Sequence, residues 1–152
     1  MKKIIVTGGM GYIGSHTTVS LIEQGFEVVI IDNLVNSEKS VLDGIEEITG
    51  TRPIFHQVDM RDSALLEEVL KAHNDAVSVI HFAALKAVGE SIKKPTLYYK
   101  NNLFALINLV EGMEKHGISN LVFSSSATVY GETDVLPFTE LMPTKPALSA
   151  YG

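Results

Sequence analysis

The chain has 152 residues, 45% of them hydrophobic and 20% charged, with a net charge of −6; this suits one globular domain with a substantial core. The acidic balance excludes a nucleic-acid binder that works through basic patches. The lack of cysteine excludes disulfides, thiol nucleophiles and cysteine metal sites, and the histidines at 16, 56, 73, 81 and 116 show no H-x-x-x-H spacing, so no metal is expected.

The first apolar run, Lys3-Ile4-Ile5-Val6, reads as a buried strand. It leads into Thr7-Gly8-Gly9-Met10-Gly11-Tyr12-Ile13-Gly14. Residues 15–24 then have helical spacing, with Ile13, Leu21 and Ile22 expected on an inner face. Glycines between a strand and a helix have a physical use. Without Cβ atoms the backbone turns tightly and lets a ligand approach. The free N–H groups and positive dipole end of the helix then suit a pyrophosphate. G-x-G-x-x-G alone is a weak signal, but here the strand precedes it and the helix follows. A second strand, Glu27-Val28-Val29-Ile30-Ile31-Asp32, ends in a carboxylate. Asp32 lies 18 residues past Gly14, near the roughly 20 expected for the acid that holds an adenosine ribose. A carboxylate there accepts from both ribose hydroxyls and repels a 2′-phosphate, and no arginine stands at 33–38. NAD is therefore expected rather than NADP.

A polar loop, 33–37, follows. The spacing predicts a helix over 38–49, with Val41, Ile45 and Ile48 on one face and Gly50 as its stop. A third strand covers 52–58, with Asp59-Met60 at its tip. Asp62 or Ser63 caps the next helix, whose apolar stripe is Leu65, Leu66, Val69 and Leu70. A fourth strand covers 76–82, and a loop and a short helix lead to Pro95. A long helix is predicted over 95–115, with Tyr99, Leu103, Leu106, Ile107, Val110 and Met113 as its apolar face and Gly117 as its end. The fifth strand covers 120–124. This alternation predicts an α/β fold, a doubly wound parallel sheet of Rossmann type. Beyond residue 128, Pro137, Pro143 and Pro146 punctuate a polar stretch, read as a loop over the carboxyl ends of the strands, where such sheets bind ligands. No span of about 18 apolar residues occurs, so no membrane partner is expected and a cytoplasmic location is the default. No element closes the chain at Ala150-Tyr151-Gly152. Residues 1–152 thus read as a truncated dinucleotide-binding domain without a second, substrate-binding one.

Three strand ends carry residues able to do chemistry. Asp59 after the third strand suits an adenine amino group, with Met60 packing on the ring; an ordinary turn explains the pair as well. After the fourth strand, small residues in His81-Phe82-Ala83-Ala84-Leu85-Lys86 let a cofactor pass, and Lys86 either reaches a ribose or phosphate or is simply solvated. Asn101 and Asn102 interrupt the apolar helix, and one of them is expected to bond backbone near the fourth strand. After the fifth, the hydroxyls of Ser124, Ser125 and Ser126 need partners if buried; they bond a substrate hydroxyl or form a local turn. No G-x-S-x-G elbow is present. Tyr151 comes last. A phenol with the ordinary pKa of about 10 is a poor base at neutral pH and needs a neighbouring cation, so on its own Tyr151 is more readily structural.

Together TGGMGYIGSHT, DNLVNS, VDMRD, HFAALKAVGES, YYKNN, SSSATVYG and the closing YG resemble the extended short-chain dehydrogenase/reductase family over essentially the whole chain. The resemblance implies that Gly8, Gly11, Tyr12, Ile13 and Gly14 cradle the pyrophosphate of NAD. Asp32 would hold the adenosine ribose, with Asn33, Asn36 and Ser37 lining that side, and Asp59 and Met60 would meet the adenine. Phe82, Ala83, Ala84, Lys86, Asn101 and Ser124 would line the nicotinamide half. Ser126 would bond a sugar 4-hydroxyl, and Tyr151 would be the acid/base. In that family the tyrosine belongs to Y-x-x-x-K, whose lysine would be residue 155. Phe82-Ala83-Ala84 departs from the commoner F-A-G by one tolerable methyl. The implied reaction is inversion at C4 of a UDP-hexose by transient oxidation, in a full-length homodimer. Members that eliminate water carry a carboxylate in the stretch corresponding to 125–131; none stands here, which favours epimerisation. Another nucleotide-sugar epimerase, a dehydratase, or a non-catalytic NAD-binding module are the alternatives. Without residue 155 and a substrate domain, the chain itself is expected to turn over little or nothing.

Overall fold

In the computed structural model, which describes residues 1–134 and 136–152, Lys3–Thr7 forms a strand, β1, buried from Ile4 onward. Successive side chains of a strand point to opposite faces, so β1 must be covered on both sides, as parallel sheets are. Tyr12–Glu23 follows as helix α1, then β2 at Glu27–Asp32, α2 at Ser40–Thr49, β3 at Ile54–Gln57, α3 at Ser63–Ala72 and β4 at Ala76–His81. The next helical region has four parts: α4 at Val88–Lys93, α5 at Pro95–Tyr98, a π-helical turn at Tyr99–Leu103, and α6 at Phe104–His116. β5 at Leu121–Phe123 and a 3-10 turn at Ala127–Tyr130 come last. The strands are parallel and stand in the order β3-β2-β1-β4-β5. This is the doubly wound, Rossmann-type arrangement.

Two cores result. On one face Ile5, Val29, Ile31 and Val79 cluster with Leu66 and Leu70 of α3 and Leu109 and Met113 of α6. On the other Ile4, Val6, Val28 and Ile30 cluster with Leu42 and Ile45 of α2, and with Leu21 and Ile22 of α1. Each such aliphatic side chain contributes about 1.5–3 kcal/mol by leaving water. Where α3 meets α6, a Cβ on Gly112 would collide with the Leu70 Cδ1 methyl.

The sequence periodicity misplaced several side chains. Ile13 is 54% exposed, because the first turn of α1 stands over the strand ends rather than over the sheet. Ile48 is exposed; α2 buries Leu42 and Ile45, and the half-buried Thr49 donates its hydroxyl to the Ile45 carbonyl at 2.8 Å. Leu65 is half-exposed because the stripe buried by α3 runs through Leu66, Val69, Leu70 and on to His73, spacings of three, four and seven. The largest departure is the long helix. It buries Tyr98, Ala105, Leu109 and Met113, while Tyr99, Leu103, Ile107 and Val110 of the predicted face are exposed. The helix is apolar on two sides, and the π turn shifts the phase between them. Strand five is shorter than expected, yet the Ser124 N–H still donates to the His81 carbonyl at 3.1 Å. Among the described residues, no helix is long and apolar enough to cross a membrane.

Candidate functional site

The parallel strands all end at one edge of the sheet, and there the chain leaves a cleft of about 440 Å³. Its lining includes every site residue singled out from the sequence, from Gly8 to Tyr151. Asp32 and Asp59 stand at the β2–β3 end, and Ser124, Ser126 and Tyr151 at the β5 end.

The glycine loop lies between. Gly8 has φ of +69°, a left-handed conformation that glycine adopts without strain. Its N–H donates to the Ile31 carbonyl at 2.8 Å, and a Cβ would fall 2.7 Å from the Ala83 nitrogen. A Cβ on Gly14 would strike the Gly8 carbonyl oxygen. The loop therefore folds tightly on itself and against the backbone that follows β4. No side chain caps α1, which has no acid in its first turn. The N–H groups of Tyr12, Ile13 and Gly14 are those an uncapped helix start leaves free, and all three residues line the cleft. An anion fits there.

Asp32 closes the β2 end. Its Oδ2 accepts from the Met10 N–H at 3.1 Å; its Oδ1 accepts from the Leu34 N–H at 2.8 Å and the Ser37 hydroxyl at 3.1 Å. The carboxylate is thus fixed in place with acceptor capacity remaining. Leu34 holds φ of +61°, unusual for a bulky residue, at the turn that carries Asn33, Asn36 and Ser37 along the cleft. Asn33 donates to Asp59 Oδ2 at 3.4 Å, which joins the loops after β2 and β3.

Arg61, which the sequence reading missed, grips the Asp59 carboxylate. Its Nε donates at 2.9 Å to Oδ1 and its Nη2 at 2.6 Å to Oδ2. These hydrogen bonds hold the Asp59 pKa down at about 2, and Asp59 remains an acceptor at any ordinary pH. In the sequence the pair is only an acid and an arginine two residues apart, at the turn after β3. Met60 lines the cleft floor but is 5% exposed and packs in the core, so it is as much a core residue as a contact.

At the seam between β1 and β4, Thr7 Oγ1 and His81 Nδ1 are 2.7 Å apart and buried. Burial pushes the His81 pKa down to about 4, so its ring is neutral, and it stacks on Phe123 with centroids 5.8 Å apart. Beyond it Asn102 bonds both backbone groups of Leu85, the contact expected of one of the two asparagines. Lys86 stands exposed at the rim. Ser126 Oγ accepts from the Thr128 N–H at 3.2 Å and from the Thr128 hydroxyl at 2.9 Å. The serine run thus forms a local turn, and Ser124, Ser125 and Ser126 line the cleft. Tyr151 is half-buried beside it. A second cavity of about 470 Å³ continues behind the serines, between Tyr98, Leu106 and Phe123. Among the described residues no group of three or more His, Asp or Glu side chains is placed to hold a metal.

A family model described as GDP-mannose 4,6 dehydratase matches residues 5–152. The chain belongs to this family. Its resemblance to extended short-chain dehydrogenases/reductases, read from the motifs, extends to individual members. It is 51% identical over 149 residues to a UDP-glucose 4-epimerase of Yersinia pestis, covering 98% of this chain and 44% of that one. Among solved structures, UDP-glucose 4-epimerase from Bifidobacterium longum, in complex with NAD+ and UDP, superposes with a TM-score of 0.94. It is 45% identical and the match covers 99% of this chain and 44% of that one. UDP-glucose-4-epimerase from Stenotrophomonas maltophila, with bound NAD and formylated UDP-arabinopyranose, gives a TM-score of 0.93 at 47% identity over 99% of this chain and 44% of that one. The chain spans less than half the length of the curated relatives it matches.

Proposed function

We propose that this chain is the NAD-binding half of an isomerase, a UDP-glucose 4-epimerase that interconverts UDP-glucose and UDP-galactose by transient oxidation at C4. The observation that carries the reading is the single cleft in which the uncapped start of α1, Asp32, Asp59, Ser126 and Tyr151 are brought together. The names of the relatives support the same reaction.

The residues fit NAD from end to end. The first turn of α1 would take the pyrophosphate, for which Gly8 and Gly14 clear the space. Asp32 would accept from the adenosine ribose hydroxyls, and Asp59 from the adenine amino group. Phe82, Ala83, Ala84, Lys86 and Asn101 would line the nicotinamide side. NAD, when bound, supplies the hydride acceptor and donor of the cycle. Ser126 would donate its hydroxyl proton to the sugar 4-oxygen and so orient it. Tyr151, as phenolate, would take the 4-hydroxyl proton as C4 is oxidised and return it after the sugar has presented its other face. Contacts to UDP belong mainly to a carboxyl-terminal substrate domain, which would hold the sugar while it turns. The whole enzyme would act in the cytoplasm, in galactose metabolism, as a homodimer. The exposed apolar stripe of Tyr99, Leu103, Ile107 and Val110 supports that association.

The family's description favours a dehydratase as second reading. The stretch 125–131, which holds hydroxyls and no carboxylate, speaks for epimerisation.

Equilibrium dialysis of the 152-residue chain tests the cofactor. NAD is expected to bind at least about tenfold more tightly than NADP, a difference of about 1.4 kcal/mol; no binding of NAD would overturn the reading. The same chain given UDP-galactose is expected to produce little or no UDP-glucose, and a measurable rate would show that residues 1–152 suffice for turnover. In the coding sequence, a lysine three residues after Gly152 is expected.

A further inference from the structure

α5, the π turn and α6 run as one helical rod, and two carboxamides on it reach the two loops that bound the cleft. Near the π turn, Asn102 Oδ1 accepts from the Leu85 N–H at 2.9 Å and Asn102 Nδ2 donates to the Leu85 carbonyl at 2.9 Å. It acts as a strand partner for a residue that lies past the end of β4. Asn101, which lines the cleft, donates in turn to Asn102 Oδ1 at 3.0 Å. On α6, Asn108 Nδ2 donates to the Met60 carbonyl at 2.9 Å and to the Arg61 carbonyl at 3.1 Å. It thereby holds the turn that carries Asp59. Ala105, between the two, lines the cleft and is buried.

We propose that Asn102 and Asn108 are positioning residues that set the two walls of the dinucleotide cleft from one helix. Asn102 fixes the wall of Leu85, Lys86 and Asn101; Asn108 fixes the wall of Asp59 and Arg61. Neither lines the cleft itself, so each acts through the loop it holds. The proposal rests on the reading of the cleft as an NAD site. Its physical basis is that a carboxamide donates and accepts in one plane at fixed spacing. A wall already ordered in the free protein need not be ordered at the moment of binding.

Binding of NAD and of ADP, measured by equilibrium dialysis on the 152-residue chain, separates the walls. Asn102→Ala is expected to weaken NAD about tenfold, the effect of two lost hydrogen bonds, and to leave ADP within about twofold. Asn108→Ala is expected to weaken NAD and ADP by the same factor, about fivefold. An equal loss of both ligands in N102A, or unchanged NAD affinity in either variant, overturns the proposal. A purely structural role would not split the two ligands. Should N102A fail to fold, Asn102→Asp, which keeps the acceptor and loses the donor, is read in the same way. If the unsubstituted chain binds neither ligand, it is the NAD reading that fails. Positioning is then read without ligand, from amide hydrogen exchange at Leu85. Exchange is expected to rise about tenfold in N102A and to stay unchanged in N108A; equal rates in the wild-type chain and N102A overturn it.

Discussion

The two ends of the cleft differ in how their chemistry is held. At the β1–β2–β3 end, Asp32 is fixed by three hydrogen bonds, Asp59 by Arg61 and Asn33, and the glycine loop by backbone contacts that leave no room for a methyl. β1 and β2 beneath are covered on both faces. At the β5 end, the three strand residues Leu121, Val122 and Phe123 are 36%, 56% and 52% exposed. Ser126 is held by a contact only two residues away. Beside their near neighbours, Asp32 and Asp59 each have a partner well along the chain, Met10 at 22 residues and Asn33 at 26, whereas the contact on Ser126 lies within its own turn.

That contrast is broken most strongly at Gly14. Gly14→Ala forces a methyl against the Gly8 carbonyl, so the loop must move. A loss of about 3 kcal/mol of stability and of NAD binding by about a hundredfold or more is expected. Chemical denaturation and dialysis measure the two, and near-native values would show that the loop has slack. Acid strikes next, at the seam between the ends. Unfolded histidine takes a proton near pH 6.5, but His81 in the fold resists to about 4. In that window the unfolded chain binds more protons, so stability is full above about 6.5 and falls as the pH is lowered. The loss from His81 reaches about 3 kcal/mol. His56 and His73, whose Nε2 atoms are 2.9 Å apart, are also pushed down by burial and act in the same direction. Thermal melts from pH 7.5 to 4 check this; a flat profile contradicts it.

Two smaller effects sharpen the comparison. Asp32→Asn is expected to cost about tenfold in NAD affinity, or about 1.4 kcal/mol, and to narrow the gap to NADP, because the charge that repels a 2′-phosphate is gone. Dialysis with both cofactors reads it, and an unchanged ratio would mean that the loop backbone does the discriminating. Val122→Thr on the exposed edge strand is expected to change stability by no more than about 0.5 kcal/mol. A larger loss in denaturant melts would mean that β5 is better enclosed than its surface suggests.

Much of this was legible in the residue order. Alternation of apolar runs gave the strand sequence, and glycines followed by Asp32 located the cleft, because local spacing and covalent neighbours decide both. What could not be read depended on partners far along the chain. The bond between Thr7 and His81 spans 74 residues, and that from Asn108 to Met60 spans 48. Two of the five scattered histidines meet as a pair. The inner face of the long helix was misread because both of its sides are apolar, and only packing chooses between them. Arg61 was passed over because its partner is two residues away, a spacing that points nowhere in a strand or helix and acquires meaning only in a turn.

The central place of β1 has a consequence for assembly. β1 needs neighbours on both edges, and these are β2 and β4. During synthesis β2 follows at once, but β4 begins only at Ala76. β1 is therefore half-paired from the completion of β2 at Asp32 until β4 begins at Ala76, while residues 33–75 are added. A bare edge on a strand as apolar as Ile4-Ile5-Val6 invites wrong pairing. The interval is spanned by α2, β3 and α3, whose near-neighbour contacts form quickly. The order of manufacture gives β1 one side of its shelter before the other edge is claimed.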